Sequence, residues 1–171
     1  MKELLSHIRD VPDFPRPGIV FKDITPLLGN ARALQRAVDA MTEPFANDGV
    51  TVVAGVEARG FLFAAPIALK LGCGVALLRK PGKLPFHTHR VEYELEYGKD
   101  AIEIHQDAVT RSDRVLLVDD VIATGGTIRA AAELVSGQGA KVIGLTFLIE
   151  LGFLSGRSRL EGYRVHSVLA F

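Results

Sequence analysis

Apolar runs alternate along this chain with amphipathic stretches. Residues 50–56, Val-Thr-Val-Val-Ala-Gly-Val, form one continuous run, and 114–118, Arg-Val-Leu-Leu-Val, form another. Residues 74–79, 141–149 and 163–169 read as further strands. Unbroken apolar runs of this length suit strands buried on both faces, as in a parallel sheet. The stretches between them have helical spacing. Leu34, Val38 and Met41 share a face of a helix from about Asn30, and small apolar residues fill a helix from about Gly60 to Leu71. Gly125 to about Ser136 is helical, with Ile128, Ala131, Ala132 and Val135 inward. This order predicts an α/β fold with a largely parallel sheet flanked by helices.

Outside this frame the pattern changes. Leu4, Leu5 and Ile8 predict a short amphipathic helix over residues 2–10. Pro12, Pro15 and Pro17 then force an extended path, and residues 18–24 read as a short strand or a loop. Residues 91–105 alternate as a hairpin turning near Gly98-Lys99-Asp100. There is no repeat or low-complexity linker, so residues 1–171 read as a single domain with one sizeable core.

Composition narrows the partners. Hydrophobic residues make up 48% and charged residues 23%, a globular balance. Twenty basic residues offset twenty acidic ones, which argues against a nucleic-acid partner. No run approaches the ~20 apolar residues that span a bilayer, so no membrane partner is expected. The N-terminus lacks a signal-peptide pattern, and the lone Cys73 lies in an apolar stretch as a core residue. A cytoplasmic protein is expected.

The chemistry concentrates after the 114–118 strand. That strand leads into Asp119-Asp120-Val-Ile-Ala123-Thr124-Gly125-Gly126-Thr127. Consecutive glycines let the backbone approach a ligand, and Thr124 and Thr127 add hydroxyl donors. The helix opening here turns free N–H groups and a positive dipole end toward the loop, a site for a phosphate. Two aspartates would repel that phosphate. They suit sugar hydroxyls, or help to hold Mg²⁺. A phosphate site beside a diol site describes a ribose 5-phosphate. The alternative is an ordinary helix capped by Thr124 or Thr127 with solvated aspartates.

With these residues in place, Val115–Thr127 resembles the 5-phosphoribosyl-1-diphosphate (PRPP) motif of type I phosphoribosyltransferases. Pro12–Ile24 is similar to the base-pocket segment of the adenine phosphoribosyltransferase family, and Glu57-Ala58-Arg59-Gly60-Phe61 resembles its pyrophosphate loop. Arg79–Pro85 and Tyr93–Gly98 resemble its catalytic lid. The resemblance runs collinearly from about residue 8 to 156. Phe86–Val91 is unusual for the lid tip, and the tail after about 157 carries little of the pattern.

The resemblance implies the type I phosphoribosyltransferase fold, with a base-binding hood at residues 1–30 and a mobile lid and hairpin at 80–105. It implies Mg²⁺-dependent transfer of the phosphoribosyl group from PRPP to adenine, giving AMP and pyrophosphate in purine salvage. Asp119, Asp120 and Ala123–Thr127 would hold the ribose 5-phosphate. Glu57, Ala58, Arg59 and Gly60, with Lys80 and Lys83, would hold pyrophosphate. Val20, Phe21, Lys22 and Leu151 would frame the base. Arg59, Lys80, Lys83, Glu96 and Tyr97 would serve catalysis, with Glu96 exchanging a proton with the purine. Asp119 and Asp120 would meet the Mg²⁺ weakly or indirectly. A homodimer is implied as well.

Plainer readings remain at this stage. Arg59 also suits a surface salt bridge, Phe21 and Leu151 plain core, and Lys80, Lys83, His87, His89 and Arg90 a solvated cationic loop. His87 and His89 without a third ligand make a poor zinc site. Transfer to another purine, or a PRPP-binding regulator, are the competing functions.

Overall fold

The computed structural model describes residues 2–95 and 98–171. Five parallel strands form its centre: β3 (Val52–Val56), β4 (Gly74–Leu78), β7 (Arg114–Ile122), β8 (Lys141–Glu150) and β9 (Val165–Ala170). Their order is β4-β3-β7-β8-β9. The apolar runs are strands because both sheet faces are covered. Val53, Leu116, Val118 and Leu148 face helices α3 (Ala31–Thr42) and α4 (Gly60–Leu71). Ala54, Val115, Leu117 and Phe147 face the opposite core with α5 (Gly126–Gly137). Successive residues thus serve opposite cores, the period-2 rule of a strand.

Helix α3 starts where Asn30 accepts a hydrogen bond from Ala33 N at 2.9 Å, an N-cap. At its far end, buried Thr146 of β8 donates to the Met41 carbonyl at 3.0 Å. Thr146→Val keeps the shape but removes that donor. It should cost about 1–2 kcal/mol in urea denaturation while leaving substrate KM values unchanged.

The N-terminal segment departs from expectation. The helix expected over 2–10 is confined to α1 (Lys2–Leu5). Residues Arg9–Pro12 instead form β1, paired antiparallel with β2 (Val20–Asp23). Cross-strand ion pairs between Arg9 and Asp23, and between Lys22 and Asp10, each 2.7 Å, give the ribbon what a helix would lose. A short helix α2 (Thr25–Leu28) follows. The hairpin is longer than expected: β5 (Thr88–Leu95) pairs with β6 (Gly98–His105), and Leu95 faces Gly98. The expected turn at 98–100 therefore lies inside β6. Cys73 is half-buried, and burial pushes its thiol pKa up.

Chain direction across the sheet fixes where a ligand fits. From β3 the chain leaves toward β4, and from β7 it leaves toward β8, on opposite sides. The loops after β3 and β7 therefore diverge and open a crevice at the carboxyl ends of the strands.

Candidate active site

That crevice holds a cavity of about 230 Å³ lined by Glu57–Arg59, Lys80 and the segment Asp119–Ile128. Its floor is the end of β7. Strand β7 runs past residue 118 and carries Asp119 and Asp120 within its last four residues. Its apolar part is locked in the sheet, so the two carboxylates are held at the crevice. The loop Ala123–Gly125 then turns into α5. Gly125 has φ +80, a conformation that disfavours a side chain, and it caps α5 without any side-chain hydrogen bond. Neither Thr124 nor Thr127 is the N-cap. The first N–H groups of α5 are thus left for an anion.

A second segment supports this loop from behind. A Cβ on Gly125 would lie 2.5 Å from the Gly156 carbonyl oxygen, and one on Gly156 would lie 2.1 Å from the Ala123 carbonyl oxygen. The loop and the turn at Gly156–Leu160 therefore pack backbone against backbone. Arg129 adds a bond of 3.0 Å to the Arg159 carbonyl. No sequence pattern marked Gly156 as part of the site.

The carboxylates are perturbed. Burial, then the neighbouring Asp120 charge, pushes the Asp119 pKa well above the usual aspartate range. Burial also raises Asp120, although the Arg59 guanidinium opposes the shift. Arg59 Nε lies 2.9 Å from Asp120 Oδ2, yet that buried oxygen accepts no well-aligned hydrogen bond. An acceptor held by an ion pair without a well-aligned hydrogen bond can still gain from a ligand donor or a second cation. Arg59 thus forms a salt bridge, but inside the crevice rather than on an unrelated surface.

The loop after β3 lies opposite. Helix α4 also begins with no side-chain cap, at Arg59. A Cβ on Gly60 would come within 2.8 Å of the Val118 carbonyl, so this helix start presses closely on β7. Glu57 turns toward residues 79–83. Its Oε2 accepts from Arg79 Nε at 3.2 Å and from Lys80 N at 3.0 Å, and its Oε1 pairs with the Lys83 ammonium. Burial alone would raise its pKa, but Lys83, the Lys80 N–H and Arg79 outweigh burial and hold it below the usual range. Glu103 accepts from Gly82 N at 3.1 Å and fixes the same bend. Lys80 Nζ contacts Asp100 and the Tyr93 hydroxyl. Burial opposes its charge, yet those two partners hold its pKa above the usual lysine value.

The phosphoribosyl transferase domain family matches residues 25–166. An adenine phosphoribosyltransferase of Myxococcus xanthus is 54% identical over 99% of this chain and 92% of its own length. That of Thermobifida fusca is 56% identical over 95% of this chain and 92% of its own. The chain belongs to the adenine phosphoribosyltransferase family. Solved structures of the family superpose closely. The enzyme of Thermoanaerobacter pseudethanolicus has a TM-score of 0.96 at 49% identity, covering 99% of both chains. The enzyme of Saccharomyces cerevisiae, solved with an imino-altritol bisphosphate and adenine, has a TM-score of 0.92 at 40% identity. That match covers 98% of this chain and 97% of the yeast chain.

Within this phosphoribosyltransferase fold, the residues expected from the sequence divide into groups. Ala123–Thr127, Asp119, Asp120, Glu57, Ala58, Arg59 and Lys80 all line the one cavity. Gly60 backs it, and Lys83 reaches it through Glu57. Residues 20–22 of β2 are not among the residues that line the cavity. Phe21 packs edge-on against Phe14 at 5.2 Å, and the Arg59 guanidinium lies 5.0 Å from the Phe21 ring centre. Lys22 pairs with Asp10 and lies over the Phe171 ring at 4.2 Å, while Val20 is exposed. Leu151 packs at the rim of the core and donates its N–H to the Ile122 carbonyl at 2.9 Å, at the end of β7. Glu96 and Tyr97 lie outside the described residues. Sequence reasoning singled out neither Asp100 nor Glu103, and did not foresee Tyr93 bonded to Lys80 and Asp100.

Proposed function

We propose that the protein transfers the phosphoribosyl group of PRPP to adenine, forming AMP and pyrophosphate in purine salvage. One observation carries this reading. At a single switch point of the sheet, in a chain of the adenine phosphoribosyltransferase family, lie an uncapped helix start, a carboxylate pair of half-buried Asp119 and buried Asp120, and an arginine. These are the complements of a phosphate, a sugar diol and a departing pyrophosphate.

The reaction is an in-line displacement at the anomeric carbon. The transition state carries oxocarbenium character, as in other glycosyl transfers. The protein therefore fixes geometry and neutralises departing charge rather than forming covalent bonds. The α5 start and Thr124 to Thr127 hold the 5-phosphate. Asp119 and Asp120 accept hydrogen bonds from the ribose hydroxyls. The Glu57–Gly60 backbone with Arg59, Lys80 and Lys83 takes the pyrophosphate. Phe21 and Leu151 wall the base, and Val20 and Lys22 offer it main-chain polar groups.

Mg²⁺ fits this donor set. Asp120 Oδ2 is buried with no well-aligned hydrogen bond, and both carboxyl pKa values are raised, the state of groups that gain from a cation. No cluster of three His, Cys, Asp or Glu side chains suited to a metal occurs among the described residues. Asp119 and Asp120 would hold the ion weakly, its other ligands being substrate oxygens and water. Bound there, it would neutralise charge on the leaving pyrophosphate.

Glu96 and Tyr97 act in this reading when the lid at 80–105 closes over the crevice and the hood at 1–30 within one domain. Glu96→Gln should lower kcat more than it changes the KM for PRPP, as initial rates at varied PRPP will read. Leu62 and Leu69 of α4, with Val75 and Leu77 of the edge strand β4, leave an exposed apolar surface that supports a homodimer. Among the described residues no helix is long and apolar enough to cross a membrane, which agrees with a cytoplasmic enzyme.

A spectrophotometric assay with PRPP, Mg²⁺ and adenine, hypoxanthine or guanine in turn tests the reading. Consumption of adenine alone is expected. Preference for an oxopurine would reassign the substrate, and consumption of none would favour a PRPP-binding regulator.

A further inference from the structure

A line of polar contacts joins the hairpin to the phosphate loop. Lys80 Nζ donates to the Asp100 carboxylate and, at 2.9 Å, to the Tyr93 hydroxyl. That hydroxyl donates to Asp100 Oδ2 at 3.2 Å and accepts from Thr127 Oγ1 at 3.2 Å. Tyr93 and Asp100 are directly opposed partners across the β5–β6 hairpin. All four side chains are partly buried, so water competes weakly for these bonds. Thr127 is the second residue of α5, and Lys80 lines the cavity.

The chemistry of Thr127 makes the arrangement a choice. Its hydroxyl has one proton, which goes either to Tyr93 or to a phosphate oxygen. A charged phosphate oxygen is the stronger acceptor. When phosphate takes that proton, the hairpin loses this hydrogen bond to the start of α5, while its apolar packing on the helix and the Gln138 bond to the His105 carbonyl remain. Lys80 is then held by the hairpin alone, and a pyrophosphate competes with Asp100 for its ammonium.

We propose that Tyr93 and Asp100 are positioning residues that form a latch. They hold Lys80 on the hairpin, and the hairpin on Thr127, until the 5-phosphate of PRPP takes the Thr127 hydroxyl and frees the lid. The latch rests on reading residues 123–127 as the 5-phosphate site. It differs in sign from a static brace. Removing a brace weakens substrate binding, whereas removing a latch that binding must break strengthens it.

Tyr93→Phe and Asp100→Asn in the full chain separate the two. Asp100→Asn keeps the shape and an acceptor, so it serves even if Tyr93→Phe fails to fold. Each should lower the KM for PRPP about fivefold, the worth of one net hydrogen bond, without a matching loss of kcat. A raised KM overturns the latch. Hydrogen exchange supplies the second readout. Without ligand, amides of 80–95 should exchange about fivefold faster in either variant than in the wild type, the same bond's worth of local opening. In the wild type, ribose 5-phosphate alone should speed exchange in 80–95 while protecting 123–127. Protection at 123–127 without a lid response overturns the latch alone. No protection at 123–127 overturns both the phosphate site and the latch.

Discussion

Replacing Asp119 and Asp120 together by asparagine is expected to lower kcat/KM by about a thousandfold or more, since one preorganised polar group already supplies about 10²–10³. The fold should survive and become more heat-stable. The sign follows from the raised pKa values. A carboxyl whose pKa is raised by folding is held protonated more tightly in the folded chain. Its contribution to stability is complete below the ordinary aspartate value of about 3.9, and is lost as pH rises through the higher folded value. At neutral pH the wild type therefore carries an unrelieved cost at β7. Asparagine cannot ionise and avoids it. Calorimetric Tm should be higher for the variant at pH 7, and the gap should narrow toward acid. Near-normal turnover would remove the pair from the diol site. A fall in Tm would make the pair structural instead.

The second large effect concerns a residue that touches no substrate in this scheme. Gly156→Ala places a methyl 2.1 Å from the Ala123 carbonyl oxygen, closer than real atoms approach. Backbone lies on both sides, so the Ala123–Gly125 loop must move. Misplacing a binding group by about 1 Å can cost about a hundredfold in rate, and kcat/KM for PRPP should fall on that scale. Gly125→Ala should behave alike, because its φ of +80 and the nearby Gly156 carbonyl both reject a side chain. Gly137→Ala is the control. It lies in α5 with nothing within 4 Å of the new methyl, so it should leave kinetics unchanged and add up to about 1 kcal/mol of stability. Wild-type kinetics in Gly156→Ala would show that the loop does not depend on its backing.

The parts of this fold that were legible in the sequence are those whose causes are local. Residues 50–56 and 114–118 read as strands because burial on both faces leaves an apolar run. The Asp119–Thr127 segment, which lines the crevice cavity, stood out because strand, glycines and helix start are contiguous. What stayed hidden depends on partners distant in sequence. Arg9 and Asp10 read as the end of an amphipathic helix and Pro12 as extended chain, but Arg9–Pro12 pairs with Val20–Asp23 through ions that local spacing does not reveal. Gly156 is one glycine among many until the turn carrying it folds against Ala123. Tyr93 and Asp100 become partners only when the register sets Leu95 against Gly98. With the turn expected at 98–100, Asp100 falls in the loop and the pair disappears.

The most direct test of phosphoribosyl transfer to adenine is phosphorus NMR of the protein with PRPP, Mg²⁺ and adenine, with the purines separated chromatographically. One AMP and one pyrophosphate should appear for each adenine consumed. PRPP that persists beside untouched adenine, or that breaks down to ribose 5-phosphate without forming AMP, would contradict it.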